Sequence, residues 1–140
     1  MSTSASARRF FDEVFSEGRL ELVDELFATE YVGHPSGNEE PNRGPEGVRE
    51  YVAGLRGAAS DLKITIEDQV AEGDKVATRW TARGTHDGVL MGIAPTGRTL
   101  SVTGITIQHI RDGKVVEGWT NWDGMGLLQQ LGAVPGPPQR

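Results

Sequence analysis

Two periods divide the chain. Up to about residue 60 the apolar positions recur every three or four residues. From Asp61 they alternate in twos, until a short apolar run near the C-terminus restores the longer period. Between Ala5 and Phe15, the residues Phe10, Phe11, Val14 and Phe15 make one helical face, and Gly18 is placed to end it. Leu22, Val23, Leu26 and Phe27 predict a second short helix over Leu20 to Phe27. The stretch TEYVGHPSGNEEPNRGPEG then reads as a loop, with a short extended piece around Tyr31 to His34. Pro45 and Glu46 suit the first turn of a third helix, whose face is Val48, Tyr51, Val52 and Leu55.

The alternating part begins with DLKITIEDQVAEGDKVATRWTARGTH, two antiparallel strands broken at Gly73–Asp74. GVLMGIAPTGR is a longer loop with Pro95 and Gly97 as turn residues. TLSVTGITIQHI and KVVEGWTNWD form a further hairpin about Asp112–Gly113. A last helix, Gly124 to Leu131, carries Met125, Leu127, Leu128 and Leu131. Helices first, long strands next and a short helix last is an α+β order, with helices on one face of an antiparallel sheet. A curved sheet closed in this way makes a cone around a cavity, a natural place for a small apolar ligand. One domain is expected over residues 1–135, and PGPPQR leads into a tail at 136–140.

Composition narrows the functions open to such a fold. The 140 residues carry a net charge of -6 and no Lys/Arg run, which argues against nucleic acid or an anionic membrane surface as partner. There is no cysteine, so disulfides, thiolate catalysis and iron–sulfur clusters are excluded. No apolar stretch approaches a membrane span, and the N-terminal residues lack the unbroken apolar core of a signal peptide, which fits a cytoplasmic protein. GVLMGIAPTGR lacks the spacing of a phosphate loop, and no GxSxG nucleophile motif is present.

Asp123, in NWDGMGLLQQLG, is the first candidate for chemistry. Aspartate is among the best helix caps, although Gly126 rather than Glu or Gln stands three residues on. Turned into an apolar cavity, the same carboxyl would have a raised pKa and could act as general base and then acid. His109 is the second. It shares a strand face with Ile105 and Ile107, the face expected to turn inward, where a histidine is either a hydrogen-bonded core residue or a catalyst. With a plain two-residue turn at Asp112–Gly113, His109 would face with Val116, Gly118, Thr120 and Trp122, and Asp123 would fall on the opposite side. A longer turn or one bulge would bring His109 and Asp123 to one side. His34 and His86 flank glycines at loops or strand ends, where pockets open. Trp80, Trp119 and Met91 are large side chains available to core or cavity, and Asn121 shares a strand face with Trp119. The histidine and carboxylate spacings match no metal motif, so no metal or cofactor is expected.

From RWTARGTHDG to LLQQLG the chain resembles the SnoaL-like polyketide cyclases of the NTF2-like superfamily. The resemblance is carried by GTH after a strand, the G-x-x-PTGR loop, the I-R-DGK hairpin, the E-x-W strand and the D-x-x-x-LLQQLG end. It implies a metal-free, cofactor-free intramolecular aldol condensation of a polyketide-like ester or ketone, and a homo-oligomer joined through the outer sheet face. It also implies that Asp123 is the acid/base and that His109, fourteen residues earlier, assists it. His34, Trp80, His86, Asn121, Trp119 and Met91 are the candidate contacts to a small apolar or aromatic substrate. Other readings stay open: a non-catalytic small-molecule binder, or an epoxide hydrolase or dehydratase of the same fold.

Overall fold

The computed structural model describes residues 2–36 and 39–136. Most of the expected tail, residues 137–140, lies outside the described residues. Ser2 caps α1 (Thr3–Arg9), its hydroxyl accepting the Ala5 N–H at 3.1 Å. The chain then widens into a π-helical run, Phe10–Ser16. In a π turn residues five apart stand over one another, and Phe10 and Phe15 meet edge to face at 5.2 Å. Gly18, at φ +73°, ends the run as its sequence position suggests. The expected second helix is a 3-10 turn, Leu20–Leu22, followed by α2 (Val23–Leu26).

Two strands come next: β1 (Phe27–His34), longer than the extended piece expected, and β2 (Asn42–Arg43), inside the segment read as loop. Pro45 stands in the first turn of α3 (Gly44–Ala58), which buries Val48 and Val52. The four long strands are β3 (Lys63–Glu72), β4 (Lys75–Thr85), β5 (Thr99–Arg111) and β6 (Lys114–Trp122), and α4 spans Gly124–Gln130. They form one sheet in the order β2-β1-β6-β5-β4-β3. All pairs are antiparallel except β1 with β6, so the sheet is mixed rather than purely antiparallel.

The helices cover one face. Phe10, Phe11, Val14, Phe15, Val48 and Val52 pack with Ile64, Val76, Trp80, Ile110 and Val115 of the sheet in a single buried core. Leu127 and Leu131 form a smaller cluster with Leu100, seating α4 at one end. Asp61 ties the start of β3 to the end of β4 by accepting the N–H and hydroxyl of Thr85, bonds that hold its carboxyl below the usual carboxylate range.

Candidate active site

Register decides which side chains face the helices. Asp112 and Gly113 both have positive φ, +53° and +77°, as a two-residue hairpin turn of matching twist requires, and Arg111 pairs with Lys114. Next to the turn β6 bulges. Ile110 pairs with Val115 but His109 pairs with Glu117, which leaves Val116 as the extra residue. From there the ladder runs Gln108–Gly118, Thr106–Thr120 and Gly104–Trp122 on one face. His109–Glu117, Ile107–Trp119 and Ile105–Asn121 alternate with these on the other.

The buried face is the first of the two. Gly104, Thr106, Gln108 and Ile110 are all buried, whereas Ile105 is 50% and Ile107 42% exposed. This reverses the sequence expectation, which turned the isoleucines inward. The reason is steric. Trp80 of β4 lies directly over Gly104, and a Cβ there would collide with its indole ring. Only glycine allows that approach, so residue 104 faces inward and residues 105, 107 and 109 face outward.

Between this face and the helices lies a cavity of about 240 Å3. Its walls are largely aromatic and aliphatic, with Phe15, Tyr31, Tyr51, Trp80 and Trp122 among them. Polar groups gather on the strand side. Trp80 Nε1–H donates to Thr106 Oγ1 at 2.9 Å, and Thr106 Oγ1 stands 3.0 Å from Thr120 Oγ1. Three protons, one N–H and two O–H, serve two bonds in this row. Whichever way the hydroxyls turn, one hydroxyl proton is left over to donate to a ligand. Thr120 is itself anchored: Ser36 Oγ donates to its carbonyl at 3.0 Å, and Trp122 N–H donates to the same Ser36 oxygen at 3.2 Å. Burial pushes the Tyr51 phenol up to about 12 and raises that of Tyr31 further, so both remain neutral donors.

The expected site residues are distributed differently. Trp80 and Met91 do line the cavity, Met91 from a tight turn in which it holds φ +52°. His34 borders it too, but its ring stacks on Trp119 at 5.4 Å and its Nε2 lies 2.8 Å from Glu117 Oε2, both outer-face residues of β6. Trp119, Asn121 and His109 are not cavity residues: they stand on the outer face, with His109 Nε2 3.8 Å from Asp74. His86 does not line the cavity either, being completely buried in the 86–98 loop. Thr96 N–H donates to His86 Nδ1 at 3.2 Å, so the ring proton sits on Nε2, which has no partner among the described residues. Asp123 is exposed and caps α4, its Oδ1 accepting Gly126 N–H at 2.9 Å. A side chain at residue 126 would strike the Asp123 carboxylate, which explains glycine where a capping box would have Glu. Its strand neighbour Trp122 and helix neighbour Leu127 both line the cavity, so Asp123 sits at its edge.

The bulge thus brings His109 into the strand parity of Asn121, as one sequence alternative required, but on the face away from the cavity. Three of the ionisable lining residues, His34, Glu39 and Arg83, are partly or fully exposed. Among the described residues no three His, Asp or Glu side chains converge to hold a metal ion, and no helix is long and apolar enough to cross a membrane. Thr106, Gln108 and Thr120 did not enter the sequence reading as site residues. Two signals pointed to them: glycines at 104 and 118 in strand interiors, which mark close approach, and a tryptophan that needs an N–H partner if buried.

Comparison with known proteins adds a lineage to this geometry. The family model described as SnoaL-like polyketide cyclase matches residues 5–131. Aklanonic acid methyl ester cyclase AcmA of Streptomyces galilaeus is 31% identical over 134 residues, covering 94% of this chain and 92% of its own. Nogalonic acid methyl ester cyclase of Streptomyces nogalater is 29% identical over 119 residues, covering 84% and 89%. Among solved structures, IdmH of Streptomyces antibioticus superposes with a TM-score of 0.82 at 36% identity, over 94% of this chain and 99% of the other.

Proposed function

The chain belongs to the SnoaL-like polyketide cyclase family, and from that premise we propose that it closes a ring in a polyketide-derived ester or ketone held in the cavity, working through neutral hydrogen-bond donors. The observation that carries this reading is the Trp80–Thr106–Thr120 row, with its one unspent hydroxyl proton on the cavity wall. In an intramolecular aldol closure the enolate carbon bonds to a carbonyl carbon, and the carbonyl π electrons move onto oxygen. That oxygen becomes an alkoxide and then takes a proton. A hydroxyl already polarised by two hydrogen bonds in series is suited to hold it. The apolar walls fold the chain so that the two carbons meet, a contribution of proximity rather than of acid/base chemistry. The α-proton of a carbon flanked by two carbonyls passes to a water molecule, and that water returns a proton to the alkoxide.

The relatives' names suggest the first compounds to try: the methyl esters of aklanonic and nogalonic acid. Closure by aldol addition, without loss of water, leaves the mass unchanged, so product is read by chromatographic retention and absorbance. With any ester that the wild type turns over, Thr120→Val keeps the side-chain shape but removes the hydroxyl. The expected loss in kcat is roughly 100- to 1000-fold, the usual effect of removing one donor to a developing oxyanion. Ring closure at the wild-type rate would show that the threonine row is structural. The aspartate mechanism implied by the resemblance is the competing reading, because Asp123 stands at the cavity edge. It needs the carboxylate to leave Gly126 N–H and turn inward past Trp122.

A further inference from the structure

One polar group in the cavity wall is unused by that reading. Gln108 is 2% exposed and lines the cavity from the inner face of β5. Among the described residues its buried carboxamide oxygen accepts no hydrogen bond, and nothing bonds to its amide nitrogen. Its neighbours give no reason for an amide. Across the ladder it faces Val76, which is fully buried, and Gly118, which has no side chain. Above Gly118 the space is taken by Tyr31, whose hydroxyl oxygen would lie 3.1 Å from a Cβ built there. A methionine would fill the same volume and leave no donor or acceptor unmet. A buried amide without partners costs stability, and a ligand that supplies the missing bonds recovers it.

We propose that Gln108 makes the cavity selective for a substrate with a ring or enol hydroxyl, a role that rests on the cavity being the cyclase's substrate site. A hydroxyl suits the amide in either orientation, since it can donate to Oε1 or accept from Nε2. Thr106 lies two residues earlier on the same face, about 7 Å along the strand. The threonine row holds a carbonyl and Gln108 holds a hydroxyl. The substrate class is therefore a hydroxylated carbonyl compound whose two oxygens are about that far apart on an apolar body.

Two small ketones test this without the natural substrate. 4-Hydroxyacetophenone and 4-methylacetophenone share the carbonyl and the ring and differ only in the para group. Affinities are measured by NMR titration of the full chain at millimolar ketone. The wild type should favour the hydroxy compound, although the methyl compound is the more apolar. In Gln108→Met that preference should fall by roughly three- to tenfold, the effect of one neutral hydrogen bond. In Thr120→Val both ketones should weaken together and their ratio should stay. A wild type that prefers the methyl compound, or a ratio unchanged in Gln108→Met, overturns the role of Gln108 while leaving the cavity as the binding site. If neither ketone shifts cavity resonances of the wild type, the substrate-site reading falls, and the role of Gln108 falls with it.

Discussion

Replacing Asp123 with asparagine, and separately with alanine, separates a cap from a catalyst. The carboxylate accepts one hydrogen bond, from Gly126 N–H at 2.9 Å, and is otherwise exposed. Asparagine offers the same oxygen to the same N–H and caps about as well, so melting should barely move. Alanine removes the bond. A lost N-cap costs about 1 kcal/mol, which for a domain of this length lowers the melting temperature by about 4 °C. Neither change touches the cavity polar row, so kcat for ring closure should stay within a small factor of wild type in both variants. The competing expectation is large: a positioned general base contributes roughly 100- to 10,000-fold. Steady-state turnover and thermal melting on the same preparations decide between them. If Asp123→Asn melts like the wild type but loses a hundredfold or more in kcat, the neutral-donor mechanism is refuted. The carboxylate must then swing inward during the reaction.

Gly104→Ala should disturb the site without touching a polar atom. The new methyl group collides with Trp80, so the indole must move and its bond to Thr106 must stretch or break. The expected cost is about 1–3 kcal/mol of stability, as for other overpacked cores, with a shift in tryptophan emission and a fall in kcat. An unchanged emission spectrum and melting curve would show that the Trp80 contact is loose. On the outer face Val70, Ala77, Ile107 and Trp119 lie in one row across four strands, with Val70 64% and Trp119 39% exposed. We expect this row to be covered by a second copy of the chain. Light scattering should then give twice the monomer mass for the wild type and the monomer mass for Ile107→Glu. A monomeric wild type at high concentration would refute the pairing.

Much of the fold was legible because its elements follow one period each. Phe10, Phe11, Val14 and Phe15 mark a helical face, and β4 and β5 keep their alternation for ten residues or more, whereas β3 is shifted by a bulge between Ile66 and Asp68. Elsewhere the local signals are weak. β2 is two residues long and has no alternation to show, and its pairing with β1 is a tertiary event. The parallel contact of β1 with β6 joins residues about 85 apart, which no local pattern announces. The π-helical widening at Phe10–Ser16 is likewise invisible in a pattern that a regular helix fits equally well.

The site was harder for a physical reason. Alternation tells which residues share a face but not which face is inside. The usual guess, apolar inward, assumes that one face meets a dry core and the other meets water. Here the inner face of β5 meets a cavity rather than a dry core. It therefore carries Gly104, Thr106 and Gln108, while Ile105 and Ile107 stand outside. The pattern inverts where a cavity stands in the place of core and Trp80 lies over Gly104. The same inversion changes what the carboxylate and imidazoles can do. Asp123, His109 and His34 all have partners outside the cavity: a helix N–H, Asp74 and Glu117. The proposed donors, Trp80, Thr106 and Thr120, carry no titrating group, unlike His34, Glu39 and Arg83 elsewhere on the lining. A pH–rate profile should therefore be flat through the range where an Asp–His pair would titrate. A bell with limbs near the histidine or carboxylate range in kcat would return the chemistry to Asp123 and His109.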